Sequence, residues 1–288
     1  MKILFQLHII LLIFLSLEAF STERTCQTDL YNSKINYNGL KIDNMLNILN
    51  QKHMPDSICI PVVIHNLYHL PQQKIELSSV IAQIESINQD FNASNLDIAK
   101  VDPGFKSLTA NVAFRFFLIN KDLEGRDFNG INYKRSEIDT FKMNHSPNVK
   151  LPLNGIKPWK PEKYVNIWVC NLEVGISGYA SYPKTIANED GVVIHYQNFG
   201  KESSNVKPPY HLGRTLTHEL GHYFGLKHLY GNELNSCLDD DGLADTPNTN
   251  RVYQGCPSIS KNPNVCNDPY SKQDMVCLLY TSPSPRDS

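Results

Sequence analysis

Residues 217–228 read THELGHYFGLKH. His218 and His222 stand four positions apart, and on a helix of 3.6 residues per turn that spacing puts both rings on one face. Glu219 is rotated roughly 100° around the same helix, beside that face rather than on it. Gly225 supplies a left-handed turn that ends the helix at low cost. The chain then folds back and brings His228 towards the first two rings. Leu216, Leu220 and Phe224, spaced by four, line the opposite face and hold the helix from behind.

Three neutral imidazoles converging in this way can share one zinc ion, and Glu219 is then placed to take a proton from a zinc-bound water. With ten His and fifteen Gly in the chain, chance gives the pattern in about 3 of 100,000 such sequences. Core histidines on a buried helix would explain one imidazole, not three in register with a Glu and a Gly. A second i, i+4 pair, His65 and His69, fails the same test. It lies in or just after a strand pattern, where four residues span roughly 13 Å, so the pair reads as exposed or capping. His53, His145, His195 and His211 read as structural.

Outward from the helix, Leu212 to Phe224, the chain alternates strand and helix signals. Ile58 to Leu67 reads as a strand, with Pro61 near its start. Leu77, Val80, Ile81, Ile84, Ile87 and Phe91 form an amphipathic stripe. Val112, Phe114 and Phe116 alternate, as do Val165, Ile167 and Val169. Gly178 to Tyr182 and Gly191 to Tyr196 are two further short strands. This order predicts an α/β domain with a mixed sheet. From Leu229 onward Asn, Asp, Pro and Gly dominate, the signature of loops. No serine triad, phosphate loop or dinucleotide fingerprint is present.

The 288 residues carry 27 basic and 29 acidic side chains, a formal charge of −2. That lacks the basic excess of a nucleic-acid-binding protein. Lys2 precedes an apolar run from Ile3 to Leu17, followed by Ala19 and Ser21. This predicts a secretory signal over residues 1–21, in preference to a membrane anchor, because the run is shorter than the roughly 20 residues a spanning helix needs. The expected product is secreted, with no membrane span after signal removal, in a compartment where disulfides persist. Sequons at Asn92-Ala93-Ser94 and Asn144-His145-Ser146 fit that route. Residues 22–57 read as a separate pro-segment, with a short amphipathic helix at Ile42, Met45, Leu46 and Leu49. Residues 58–276 read as the main domain. The run CLLYTSPSPRD from Cys277 to Asp287 resembles a translated sequencing adapter, with a genuine Ser/Pro-rich tail as the alternative.

H-E-x-x-H-x-x-G-x-x-H is the signature of metzincin zinc endopeptidases. Within that clan the chain resembles the pappalysin family. The segments that carry the likeness are IPVVIHNLYH at 60–69, YVNIWVC at 164–170, GYASYP at 178–183, GVVIHYQNFG at 191–200 and DGLADTP at 241–247, with Cys237, Cys256 and Cys266. The resemblance implies a mixed sheet, mostly parallel with one antiparallel edge strand, lying over the active-site helix. That edge strand, near Gly178 to Tyr182, would pair with an extended peptide or protein substrate. Zinc would be bound by His218, His222 and His228, with Glu219 as general base. The resemblance also implies a Cys237–Cys266 disulfide and a partner for Cys256 further on. A Met-containing turn is expected just after Met275, where the adapter-like run begins instead, so the loop-rich C-terminal part is expected to be incomplete.

Arg24-Thr25-Cys26-Gln27-Thr28 resembles the R-x-C-G-T pro-segment motif of the family, with Gln27 in place of Gly. The Cys26 thiolate would occupy the fourth zinc position and keep the enzyme latent. The competing reading pairs Cys26 with another cysteine such as Cys59. Asp239, Asp240, Asp241 and Asp245 could help bind calcium, with Asp245 and Thr246 the better candidates; the plainer reading is a solvated loop. The expected activity is hydrolysis of peptide bonds in extracellular proteins. The alternative is a catalytically silent zinc-binding secreted glycoprotein or fragment.

Overall fold

β-Branched and aromatic residues gather in short runs along this chain, and those runs form one sheet. The computed structural model describes residues 25–34, 57–101, 106, 109–143, 149–183, 185, 187–201, 206, 208–231, 236–243 and 266. In chain order the main elements are β1 (Thr25–Cys26), α1 (Thr28–Lys34), β2 (Ile58–Tyr68), α2 (Leu77–Phe91), β3 (Phe114–Leu118), β4 (Ile131–Arg135), β5 (Val165–Cys170), β6 (Ile176–Ala180), β7 (Val192–His195) and α3 (Arg214–Tyr223). The signal stretch, the helix expected around Ile42 to Leu49, the second sequon at Asn144 and the adapter-like run lie outside the described residues.

The strand order is β1-β6-β7-β5-β2-β3, with β4 also pairing with β2. β2 is long enough to take two neighbours in succession along one side. Ile58 to Val62 pair with β3, and Ile64 to Tyr68 pair with β4. Its other side pairs with β5 from Val62 to Asn66. Every pairing is parallel except β6 with β7. The fold is therefore the mixed α/β sheet that the sequence predicts. β6 is not the outermost strand, because β1 lies beyond it. β1, α1 and β4 have no clear sequence signal. The two central strands, buried on both faces, read as near-continuous apolar runs, as strands covered on both sides do.

Two apolar clusters sandwich the sheet. On one face Val62, Ile64, Ile167, Val192 and Ile194 pack against Val80, Ile84 and Ile87 of α2 and Leu216 and Leu220 of α3. On the other, Leu67, Trp168, Tyr179 and Val193 pack under Phe141, Met143, Val149 and Tyr31. The stripe on α2 differs from the expected one, since Leu77 and Ile81 are exposed while Gln83 and Ser86 are buried. Those polar residues hold the approach to α3. Gln83 Nε2 donates to the Gly213 carbonyl (2.9 Å) and its Oε1 accepts from Gly200 N (2.7 Å). Ser86 Oγ donates to the Leu212 carbonyl (2.7 Å). Arg214, which opens α3, pairs with Asp90 (2.9 Å) and Asp97 (2.8 Å).

His65 corrects the expectation of an exposed or capping residue. It is fully buried in β2 between Asn166 and Asn132. The Asn132 amide can only donate to Nδ1, so Nε2 carries the hydrogen that goes to Asn166 Oδ1. His69 follows the strand and contacts the Ser136 carbonyl instead. Asn92, the first residue of the other sequon, has a place in the fold. It caps the C-terminus of α2, and its amide nitrogen donates to the carbonyls of Asn88 (2.8 Å) and Phe114 (2.7 Å). Both amide hydrogens are spent within the fold.

Candidate metal centre and the segment that covers it

α3 is fixed before its chemistry is considered. Leu216 and Leu220 are fully buried behind it, and Phe224 packs against the same cluster. β6 passes in front so closely that a Cβ on Gly178 would lie 2.8 Å from the Val193 carbonyl oxygen and 3.1 Å from Glu219 Cγ. Only glycine allows that approach. At the end of α3, Gly225 takes φ +103°, a conformation that costs other residues but not glycine. The turn sends the Leu226 carbonyl back to His222 Nδ1 (2.7 Å) and delivers His228 to the helix.

The structure brings His218, His222 and His228 together. Nε2 of His222 lies 3.2 Å from Nε2 of His218 and 3.2 Å from Nε2 of His228. The tautomers of two rings follow from their outer contacts. His222 Nδ1 faces a carbonyl and His228 Nδ1 faces Asp29 Oδ2 (2.7 Å). Both partners accept, so both Nδ1 atoms carry hydrogen and both Nε2 lone pairs point inward. Burial and the neighbouring imidazoles keep His218 and His222 neutral. His222 is pushed down to about 3, and His218 well below its ordinary value.

Converging lone pairs repel unless a cation lies between them. Two nitrogens bound to one tetrahedral zinc stand about 3.4 Å apart, close to the observed spacing. Cys26 completes the group: among the described residues, Cys26, His218, His222 and His228 offer ligand atoms that all lie within 4.8 Å of one another. The residues present therefore fit a tetrahedral metal ion with three nitrogen donors and one sulfur.

Glu219 lies fully buried beside this group. Thr28 Oγ1 donates to its Oε2 (2.8 Å), and the Cys26 thiol donates to the same oxygen (3.4 Å). Burial pushes Glu219 up to about 8, against the lowering effect of those two bonds. Burial and the adjacent Glu219 likewise raise the Cys26 thiol well above its ordinary value. Burial opposes the charge of Asp29, but the bonds from His228 and from Tyr182 Oη (2.7 Å) outweigh it and hold its carboxyl below the usual range.

The segment carrying Cys26 also covers the rim of the site. β1 runs parallel to β6, with Thr25 N donating to the Gly175 carbonyl (2.7 Å) and Gln27 N to the Gly178 carbonyl (3.1 Å). Side chains of α1 then take over where the strand ends. Ala180 N donates to Thr28 Oγ1 (2.9 Å). Asn32 gives its amide nitrogen to the Ala180 carbonyl (2.9 Å) and accepts from Tyr182 N (2.8 Å), as a paired strand residue would. The strand expected at Gly178 to Tyr182 is thus Ile176–Ala180 plus an extended continuation. The segment expected to be separate is docked on it. Sequence reasoning named Thr28 within the cysteine motif without giving it a role, and missed Asp29 and Asn32. The one signal for Asp29 and Asn32 is position, just after the cysteine motif.

Cys237 and Cys266 are disulfide-bonded, and Cys26 and Cys59 are both free. Asp239, Asp240 and Asp241 accept hydrogen bonds from backbone N–H groups within their own loop. Asp245, Thr246, Cys256 and Met275 lie outside the described residues. No described helix is long and apolar enough to cross a membrane.

Comparison with known proteins agrees with this geometry. The peptidase family described as pregnancy-associated plasma protein-A matches residues 155–276. An extracellular metalloprotease of Arthroderma otae is 41% identical over 93 residues, which is 30% of this chain and 32% of that protein. The chain spans about a third of the length of the curated relatives it first matches. Among solved structures, a Tannerella forsythia promirolysin mutant is 37% identical, with a TM-score of 0.74 over 86% of this chain and 83% of that one. Tannerella forsythia mature mirolysin in complex with a cleaved peptide is 36% identical, with a TM-score of 0.70 over 79% and 82%.

Proposed function

Because the chain belongs to the pappalysin family of metzincin metallopeptidases, we propose that it is a secreted, zinc-dependent endopeptidase made in a latent form. The observation that carries this reading is the set of inward-facing imidazole nitrogens 3.2 Å apart beside a buried glutamate. His218, His222 and His228 hold the ion. Cys26 fills the fourth position in the latent chain, and residues 22–57 are the pro-segment. A metal cation reverses the balance that otherwise keeps a buried thiol protonated. The free state of both Cys26 and Cys59 supports this role over a bridge between them.

When bound, zinc lowers the pKa of its water to about 7 and polarises a carbonyl. The chain's own residues do the rest. Departure of residues 25–34 removes Thr28 and Cys26 from Glu219, leaving a carboxylate with no competing donor. Glu219 then accepts the proton of the attacking water and passes it to the leaving amine. The same departure frees the carbonyls of Gly175, Gly178 and Ala180 and the N–H groups of Ala180 and Tyr182. An extended peptide pairs with these groups through its backbone, which any sequence can offer. His222, pinned by Leu226, keeps its inward nitrogen throughout.

The names of the extracellular relatives and the signal-like residues 1–21 support secretion and extracellular protein substrates. The test of the mechanism is Glu219→Ala in the activated protein. Peptide cleavage should be lost while stoichiometric zinc is retained. Persistent turnover would exclude Glu219 as the base.

A further inference from the structure

α1 straddles the edge of the sheet. Thr28 and Asp29 reach the metal-site face, while Tyr31 goes over to the other face and is fully buried there. Its ring lies 4.8 Å from the ring of Tyr179. The Lys150 ammonium sits 5.0 Å from the Tyr31 ring centroid and 5.1 Å from that of Trp168. Lys150 is itself only 3% exposed. Its Nζ donates to Tyr31 Oη (2.8 Å) and to the Glu189 carbonyl (2.6 Å). Tyr31 Oη in turn donates towards Glu189, whose Oε2 lies 2.8 Å away.

These contacts define what the socket accepts. Its walls are aromatic, so the ligand is a flat ring. At its end, one atom must accept from a buried ammonium and also donate to a carboxylate. A phenol does both. Phenylalanine does neither, and would leave Lys150 short of an acceptor in a site with almost no water access. A carboxylate would suit Lys150 but meet Glu189. None of this machinery touches the imidazoles or Glu219.

We propose that Trp168, Tyr179, Lys150 and Glu189 form a tyrosine-binding site of the catalytic domain, independent of the metal, which holds residues 25–34 in place through Tyr31. Once that segment leaves, the site is open to the tyrosine side chain of a peptide lying along β6. The second statement rests on the reading of residues 25–34 as a removable cover. The socket itself does not, and its test is made with metal chelated, so the two fail separately.

The test uses the full chain carrying Tyr31→Ala, with thermal unfolding followed against added p-cresol and added toluene. p-Cresol should raise the midpoint and bind about tenfold more tightly than toluene, the value of a hydrogen bond to a charged group. Adding Lys150→Met should bring the two ligands within about twofold. Equal binding of p-cresol and toluene to Tyr31→Ala, or binding of neither, overturns the proposal. If Tyr31→Ala does not fold, amide hydrogen exchange of residues 28–34 is measured in Tyr31→Phe and Lys150→Met. Exchange about tenfold faster in both supports the site, and unchanged exchange in either overturns it.

Discussion

His228 is held from behind by Asp29, a residue of the segment proposed to be removed on activation. A carboxylate accepting the outer N–H of a metal-bound imidazole fixes its tautomer and raises its basicity, and loss of such a partner commonly costs ten- to a hundredfold in metal affinity. In this structure Asp29 plays that part at 2.7 Å. Asp29→Asn should therefore weaken zinc retention by about tenfold or more, measured by competition with a chromogenic chelator. Retention equal to that of the unaltered chain would show that Asp29 only packs. The neighbouring Cys26 is proposed to act through the ion and through Glu219 together. Cys26→Ala should yield full-length protein that cleaves peptide without prior processing; unchanged latency would show that Cys26 does not block the site.

At the level of single elements, α3 and β2 show what can be read from sequence and what cannot. The α3 motif is legible because its three imidazoles, glutamate and glycine follow helix geometry and a single turn. α2 is legible in extent but not in facing. Leu77 and Ile81 are surface residues, and Gln83 and Ser86 go inside, because the backbone groups of Gly200, Leu212 and Gly213 need buried hydrogen-bond partners. Tertiary contacts of that kind leave no periodicity. β1 and α1 were hidden for a related reason, since two strand residues and seven helical ones owe their form to β6 rather than to their own propensity. β2 hides its buried His65 in the same way. Burial pushes His65 down to about 4, so the unfolded chain binds a proton below about pH 6.5 that the folded chain refuses. Stability contributed by neutral His65 is present above about pH 6.5 and is lost as pH falls towards 4, by roughly 3 kcal/mol in all. Urea unfolding at pH 7 and pH 5 should show about 2 kcal/mol of this loss in the unaltered chain and a smaller loss in His65→Gln; an equal loss in both would place the acid sensitivity elsewhere.

Across the whole molecule, the sheet divides the labour. On one face α3 and the turn after it carry the imidazoles and Glu219, the other face carries the Tyr31 socket, and residues 25–34 cross the edge between them to engage both. The mixed sheet and the zinc helix were foreseeable from the strand and helix order and from the motif. The covering segment was foreseeable only at Cys26, because the other contacts need the fold to bring residues some 150 to 200 positions apart into touch. The most direct test of the account is zinc-edge X-ray absorption on the full-length chain, with metal content measured on the same sample. One zinc per chain with a first shell of three nitrogens and one sulfur is the predicted result. Substoichiometric zinc, or a shell made of oxygen alone, would contradict it.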